Sequence, residues 1–326
     1  MKKKFAGSVH NDIPDGIFIY KWLNSDTLHV LKHSSDTAFS LVLHPDYVCT
    51  EYKMKLNLFA FRRWQLRIPV TVIGPPVSVD SIGYSGDLDK LIADYRRRKG
   101  LYLILNLPEY PLLTEKAAIG ETLSTCLFHN HFSSCEDYFH ALRGNYRRRL
   151  KRALKKGASL RVELINNADY TEALHQLYMQ VRLKSPYPLE TLGHEFFKLF
   201  EGEIYVFYDD ADPVAFVALQ RFGQELCFVF GGMDYSQRDK FDLYYNMLLL
   251  ILRLAIQQGV EWVNFGQTAE HSKLRIGCTL AKRYMVAFSG NHIIDHALRI
   301  FGKLLVYQAP KEAYRCFNIA FIMLDL

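Results

Sequence analysis

The chain has 326 residues, of which 49% are hydrophobic and 14% aromatic, enough to bury two cores and to exclude global disorder. The formal net charge is +6. Arg143, Arg147, Arg148, Arg149, Lys151, Arg152, Lys155 and Lys156 exceed that sum with no acid among them, so a near-neutral body carries one basic segment.

Cys49, Cys126, Cys135, Cys227, Cys278 and Cys316 form no C-x-x-C pair and have no histidine at zinc-ligand spacing. They read as buried, reduced thiols in a reducing compartment. His129-x-His131 does not make a metal site by itself, and Asp209, Asp210 and Asp212 ahead of Pro213 suit a hairpin turn, so no metal is expected. Met1-Lys-Lys-Lys-Phe5 is followed by no apolar stretch, which excludes a secretory signal. The longest apolar run, Met247 to Ile256, is interrupted by Arg253 and is too short to span a bilayer. A cytoplasmic chain is expected, with peripheral contact to an inner membrane left open.

In chain order, Thr71–Gly74 reads as a short strand. Leu88, Leu91, Ile92 and Tyr95 then mark one face of a helix over Asp87–Lys99, with Gly100 as its cap. Leu101–Leu107 is a buried strand. Ser133 or Ser134 with Glu136 or Asp137 opens a capped helix whose apolar stripe runs through Tyr138, Leu142, Tyr146, Leu150 and Leu154. Gly144-Asn145 bends or restarts it, and Gly157 ends it.

The remainder reads as strand 160–165, helix 170–184, and strands 203–208, 214–220 and 225–230, an antiparallel meander. A helix from Asp242 to Gln258, the cap Gly259 and strand 261–265 form a crossover, which demands a parallel pairing. Strand, loop, helix, glycine, strand thus occurs twice, with 26 residues from Gly74 to Gly100 and 27 from Gly232 to Gly259. The expected fold class is α/β (an α+β mixed sheet) in two similar domains. They cover 1–132 and 158–326, with a basic interdomain helix at 133–157.

Phe265-Gly-Gln-Thr-Ala-Glu-His-Ser-Lys-Leu-Arg-Ile-Gly277 leaves a buried strand and offers Glu270, His271, Lys273 and Arg275 just past the strand end. Polar groups there are well placed for a ligand. Lys273 and Arg275 suit an anion, and Glu270 or His271 suits proton transfer from an attacking amine. A solvated charged loop is the plain alternative. No P-loop, dinucleotide glycine fingerprint or G-x-S-x-G elbow is present.

The order Asp234-Tyr235, apolar helix to Gln258, Gly259, Asn264-Phe265-Gly266, Lys273 and Gly277 resembles bacterial tandem-GNAT acyltransferases of the CelD-like group. The FemA/FemX aminoacyltransferases are more distant. The basic stretch Tyr146–Gly157 is similar to the same group. The resemblance implies two tandem GNAT-like domains, the first degenerate. It also implies acyl transfer from an acyl-CoA or acyl carrier protein thioester to an amine, in cell-envelope or polysaccharide metabolism.

By the same resemblance, Gln237, Arg238, Lys240, Lys273 and Arg275 hold the donor. Tyr244 or Tyr245 protonates the leaving thiolate, and Arg182, Gln267 and Thr268 face the acceptor. The glycine-rich loop that cradles the CoA pyrophosphate is replaced by Ser236-Gln-Arg-Asp-Lys-Phe-Asp-Leu243, with Phe241 and Leu243 where glycines would stand. That departure puts acetyl-CoA bound in the usual way in doubt. It keeps open a non-catalytic binding module and a FemX-like, aminoacyl-tRNA-dependent transferase. The basic segment at 143–156 could meet an acyl carrier protein or an anionic membrane surface. Sequence-specific nucleic-acid binding is not expected, because no aromatic residues interleave with the cations.

Overall fold

The computed structural model describes residues 39–61, 64–74, 80–114, 116–185, 191–301, 307 and 314–318. Met1–Phe5 and the stretch 186–188 lie outside them. In chain order the elements are β1 (Phe39–Leu43), β2 (Tyr47–Phe61), β3 (Trp64–Ile73), β4 (Tyr84–Gly86), α1 (Leu88–Arg96), β5 (Leu101–Leu107) and β6 (Ala118–His129). Then come α2 (Cys135–Ala141), α3 (Gly144–Lys156), β7 (Arg161–Ile165), α4 (Glu172–Lys184), α5 (His194–Lys198), β8 (Glu203–Asp209), β9 (Asp212–Phe222) and β10 (Glu225–Met233). Last are α6 (Arg238–Phe241), α7 (Leu243–Gln258), β11 (Trp262–Asn264), α8 (Glu270–Leu274), β12 (Thr279–Ser289) and α9 (His292–Phe301).

Two compact units are built from interleaved segments. The first takes Met1–Ser124, Leu189–Gly193 and Lys282–Ala309. The second takes Thr125–Pro188, His194–Ala281 and Pro310–Leu326.

In the first unit the strand order is β1-β2-β3-β5-β12, with β4 on β2. β3 and β5 are parallel, Thr71 facing Tyr102 and Ile73 facing Ile104, with α1 as the crossover. Asp87 caps α1, its carboxylate accepting from the Lys90 N–H at 3.0 Å. α1 buries Leu91, Ile92 and Tyr95 against Ile104, Val286 and Phe288. The helix ends at Arg96, so Gly100 is not its cap. The Gly100 carbonyl instead accepts from the Ser289 hydroxyl at 2.8 Å.

In the second unit the order is β6-β11-β10-β9-β8-β7. β7 to β10 form the expected antiparallel meander, and β10 pairs parallel with β11 through the α7 crossover. α7 is apolar nearly all round because it is covered by the sheet and by α3. Leu243, Leu248, Ile251, Leu252 and Ala255 are all within 1% of complete burial. Each large apolar side chain there contributes roughly 1.5–3 kcal/mol.

The Asn246 amide donates to the Ala153, Phe241 and Asp242 carbonyls, tying α3 to the start of α7. Gly259 caps α7 at φ 62°, a conformation that other residues resist. α4 lies so close on β10 that a β-carbon at Gly232 would fall 2.6 Å from the Tyr178 backbone nitrogen. Ser134 caps α2. The break before α3 falls at Leu142 and Arg143, where Leu142 bridges to Phe317, and Gly144 opens the next helix. No helix among the described residues is long and apolar enough to cross a membrane.

Candidate active site

The site begins where β10 and β11 part. Their register covers three pairs, Glu225–Trp262, Leu226–Val263 and Cys227–Asn264. β11 then stops, while β10 runs on to Met233 after a register shift against β9 between Phe228 and Phe230. The later half of β10 therefore has no β11 partner.

The turn that leaves β11 is built around Asn264, which is 7% exposed. Its amide donates to Glu225 Oε1 at 3.0 Å, and its carbonyl oxygen accepts from the Gly266 N–H at 2.8 Å. β6 clamps the same turn, with Phe265 N–H donating to the Cys126 carbonyl and Cys126 N–H to the Gly266 carbonyl. Gly266, Thr268 and Ala269 all have positive φ, 68°, 64° and 50°. Two non-glycine residues in the left-handed region within one turn represent stored strain that the surroundings must hold.

That turn feeds α8, which the sequence reading leaves as loop, and α8 carries the buried charges. Lys273 is 3% exposed and Glu270 is 6% exposed. The Lys273 ammonium donates to the Gln267 carbonyl at 2.8 Å and the Gly266 carbonyl at 3.4 Å, so it pins the strained turn. Both side chains act on Cys126. Burial above all pushes that thiol up to about 11, opposed by Lys273 and assisted by Glu270. Tyr244 reaches the same neighbourhood. Burial first, then Cys126, Cys278, Tyr235 and Tyr245, drives its hydroxyl well above the ordinary phenol range, so it stays protonated.

Tyr245 faces elsewhere, since adjacent helical residues point about 100° apart. Its hydroxyl bonds to Arg275, which holds that guanidinium charged, and Arg149 stacks over its ring at 4.2 Å. Arg149 also makes a two-pronged bond to Asp242, at 2.6 and 2.8 Å. His271 is exposed and shares a 2.7 Å hydrogen bond with the Tyr314 hydroxyl. The structure thus sorts the predicted residues into two groups. Glu270, Lys273 and Tyr244, with the Gln267 carbonyl and the strained Thr268, form one. Tyr245, Arg275 and His271 form the other.

The remaining residues expected to hold the donor lie at α6. Arg238 pairs with Asp239 at 2.9 Å and Lys240 with Asp209 at 2.8 Å, both on the surface, and Gln237 begins the helix. Phe241 and Leu243 are 3% and 0% exposed, so their side chains point into the core and do not fill the loop as the sequence suggested. α6 is a single helical turn, and Asp242 follows at φ 53° with its carboxylate already matched by Arg149. At the end of α4, Lys184 stacks on the Tyr235 ring at 3.8 Å, and Gln180 accepts from the Tyr235 N–H at 3.1 Å. Arg182, on the same last turn, is half-buried.

Sequence reasoning missed Cys126, Tyr314 and the role of Arg149. The first two come from distant segments with no local signature. Arg149 is hidden in a run of like residues, and only its partner sets it apart. Among the described residues no group of three or more His, Cys, Asp or Glu side chains is placed to hold a metal ion.

Residues 140–274 match the family model described as an acetyltransferase (GNAT) domain. No curated protein sequence matches the chain. Among solved structures, the C-terminal domain of a putative lysylphosphatidylglycerol synthetase from Agrobacterium fabrum is 10% identical, with a TM-score of 0.51 over 85% of this chain and 92% of that one. L-PGS from Bacillus licheniformis is 8% identical, with a TM-score of 0.52 over 86% of this chain and 95% of that one. FemX is 11% identical, with a TM-score of 0.46 over 83% of this chain and 92% of that one. At these identities the first two speak for the fold, a mixed α/β architecture of the GNAT kind. The segment matched by the acetyltransferase (GNAT) model takes in β10, α7, β11 and the turn into α8, so the likeness falls on the second unit.

Proposed function

We propose that the second unit transfers an acyl group from a thioester, an acyl-CoA or acyl carrier protein, to an amine at the parting of β10 and β11. The observation that carries this is the strained turn at 266–269, which leads into the buried Glu270 and Lys273, both acting on Cys126, the thiol that also acts on Tyr244. The amine nitrogen attacks the thioester carbon and the C–N bond forms. The β10 main chain beyond Cys227 lies beside the carbonyl oxygen. The C–S bond then breaks. Glu270 takes the proton the amine loses, and the Tyr244 hydroxyl supplies one to the departing sulfur. Lys273 keeps the turn in place and adds positive charge near the oxyanion. Tyr244 is preferred to Tyr245, and Glu270 to the exposed His271, because Tyr244 and Glu270 both interact with the buried Cys126.

Arg275 and Arg149 suit an anionic part of donor or acceptor, and Arg182 suits an acidic group of a small or envelope-precursor acceptor. A pyrophosphate seated at the start of α7 does not suit this chain, because Asp242 and Arg149 occupy each other there. A second reading is aminoacyl transfer, as from a charged tRNA, at the same site. Its support is that filled pyrophosphate position together with one fold neighbour whose name is a putative lysylphosphatidylglycerol synthetase. Recurrence of the crossover, β3–α1–β5 and β10–α7–β11, supports reading the units as tandem copies with one working site.

The test is a thermal-shift series with acyl-CoAs of graded length, an acyl carrier protein thioester and charged tRNA, followed by turnover with Glu270→Gln. One donor class is expected to raise the melting temperature. Glu270→Gln should keep that shift while losing on the order of 10² or more in rate. If no donor stabilises the protein, or Glu270→Gln turns over normally, the assignment fails.

A further inference from the structure

α9 is amphipathic, and of its polar residues His292, His296 and Arg299 are exposed while one carboxylate is buried. Asn291 caps it, its side-chain oxygen accepting from the Ile293 N–H at 2.9 Å and the Ile294 N–H at 3.3 Å. The residue α9 buries is Asp295, at 4% exposure. Its carboxylate accepts from the Ser289 N–H at 3.1 Å and pairs with Arg96 at 3.3 Å. Ala297 and Leu298 are half-buried, while three isoleucines look out, Ile293 at 81%, Ile294 at 45% and Ile300 at 54% exposure. Burying a carboxylate while exposing three isoleucines inverts what a helix on a water-facing surface does. A contiguous exposed apolar face of this kind marks a contact surface.

The surroundings identify the partner. The segment Arg96-Arg97-Arg98-Lys99 in the same unit abuts the start of α9. A β-carbon at Gly290 would lie 2.4 Å from the Arg96 carbonyl and 2.5 Å from that of Arg98. Arg97 and Arg98 are 76% and 50% exposed, with weak surface pairings to Asp94 and Glu51. Lys99 and Arg299 are exposed, and neither makes an ion pair among the described residues. Outward isoleucines rimmed by arginine and lysine match the boundary between acyl chains and anionic headgroups, where apolar side chains insert and cations meet phosphates.

We propose that α9 and the Arg96–Lys99 segment form a docking surface for an anionic phospholipid bilayer, lying in its plane. This assignment concerns the first unit and does not rest on the transfer reaction proposed for the second.

The experiment is co-sedimentation of the full chain with vesicles of phosphatidylglycerol and phosphatidylcholine, against vesicles of phosphatidylcholine alone. Binding should be at least tenfold stronger to the anionic vesicles and should weaken with salt. The double variant Ile293→Asp/Ile300→Asp should lose tenfold or more in partitioning. Lys99→Glu/Arg299→Glu should lose it selectively on anionic vesicles. Because all four side chains are exposed, melting temperatures should be unchanged. Ile293→Trp adds a second readout, since its emission should shift to the blue on anionic vesicles. Equal sedimentation of wild type and the double aspartate variant would overturn the proposal. So would an Ile293→Trp emission indifferent to lipid. Conversion of a dimer to a monomer by the aspartates, without vesicle binding by wild type, would assign the face to a second copy and overturn it equally.

Discussion

The ends of β5 and β11 occupy matching places in the two units, and they differ in what the chain does next. Each strand is parallel to the one before its crossover helix, and each carries a buried asparagine at its end, Asn106 and Asn264, both 7% exposed. In the first unit β3 ends at Ile73, opposite Ile104, while β5 runs on to Leu107, so no unpaired length of β3 borders the strand end. Pro108 follows, and Tyr110 and Leu112 are 58% and 94% exposed. In the second unit the long strand is β10, the short one is β11, and the turn delivers two buried charges. A shared framework therefore does not make a site. In the proposed site the upstream strand outruns its partner, and a strained turn leads into the buried Glu270 and Lys273.

The sharpest way to break this comparison is to remove the charge that only one unit has. Glu270→Gln is expected to cost two or more orders of magnitude in turnover. Glu109→Gln, on the exposed loop after β5, should change turnover less than about twofold. Equal effects in a steady-state assay would dissolve the distinction between the units.

Lys273→Met comes next. It removes the donor to the Gly266 and Gln267 carbonyls and should lower stability by about 1–3 kcal/mol in denaturant unfolding. If Lys273→Met instead left stability unchanged and abolished only donor binding, lysine would be a ligand group rather than the pin of the turn.

The alkaline arm of stability offers a smaller, paired test. Burial raises Cys126 to about 11 and, in the first unit, Cys49 to about 12, both from an ordinary 9.0. For each, the stabilising contribution is complete below pH 9. It declines as pH rises through the folded value, because the unfolded thiol ionises first. Cys126→Ala and Cys49→Ala should each flatten the fall in melting temperature above pH 9, and the Cys49 effect should extend to higher pH. The smallest effect belongs to Leu112→Ser, which should stay within about 0.5 kcal/mol of wild type, since its side chain is almost wholly exposed.

Local pattern in the sequence carries the second unit's helices and meander to within a few residues. The predicted helix 242–258 is α7, Leu243–Gln258, and the predicted strand 101–107 is β5. These elements have long apolar stripes or continuous apolar runs, so period alone reveals them. α6 and α8 were read as loop because helices of four and five residues hold too few turns to show a period.

The same limit hid the site's finer geometry. Nothing in the order of residues marks Thr268 and Ala269 as left-handed, because their strain is imposed by Asn264, Lys273 and β6. The separation of Tyr244 from Tyr245 depends on the rotation of α7, which packing sets. β6 and α9 went unread, and the pairings of β6 with β11 and of β12 with β5 join segments remote in sequence.

Those last pairings have a consequence for biosynthesis. The strand order of the first unit is finished by β12, a strand made only after β11 and α8 have left the ribosome. The second unit takes β6 from a segment that precedes all its other strands. During synthesis β5 therefore waits with an unpaired edge through the whole making of the meander and α7, a window in which strand edges invite mispairing. Cutting the gene between the two halves of the sequence would leave each product one strand short. The halves should then be recovered soluble only when they are produced together.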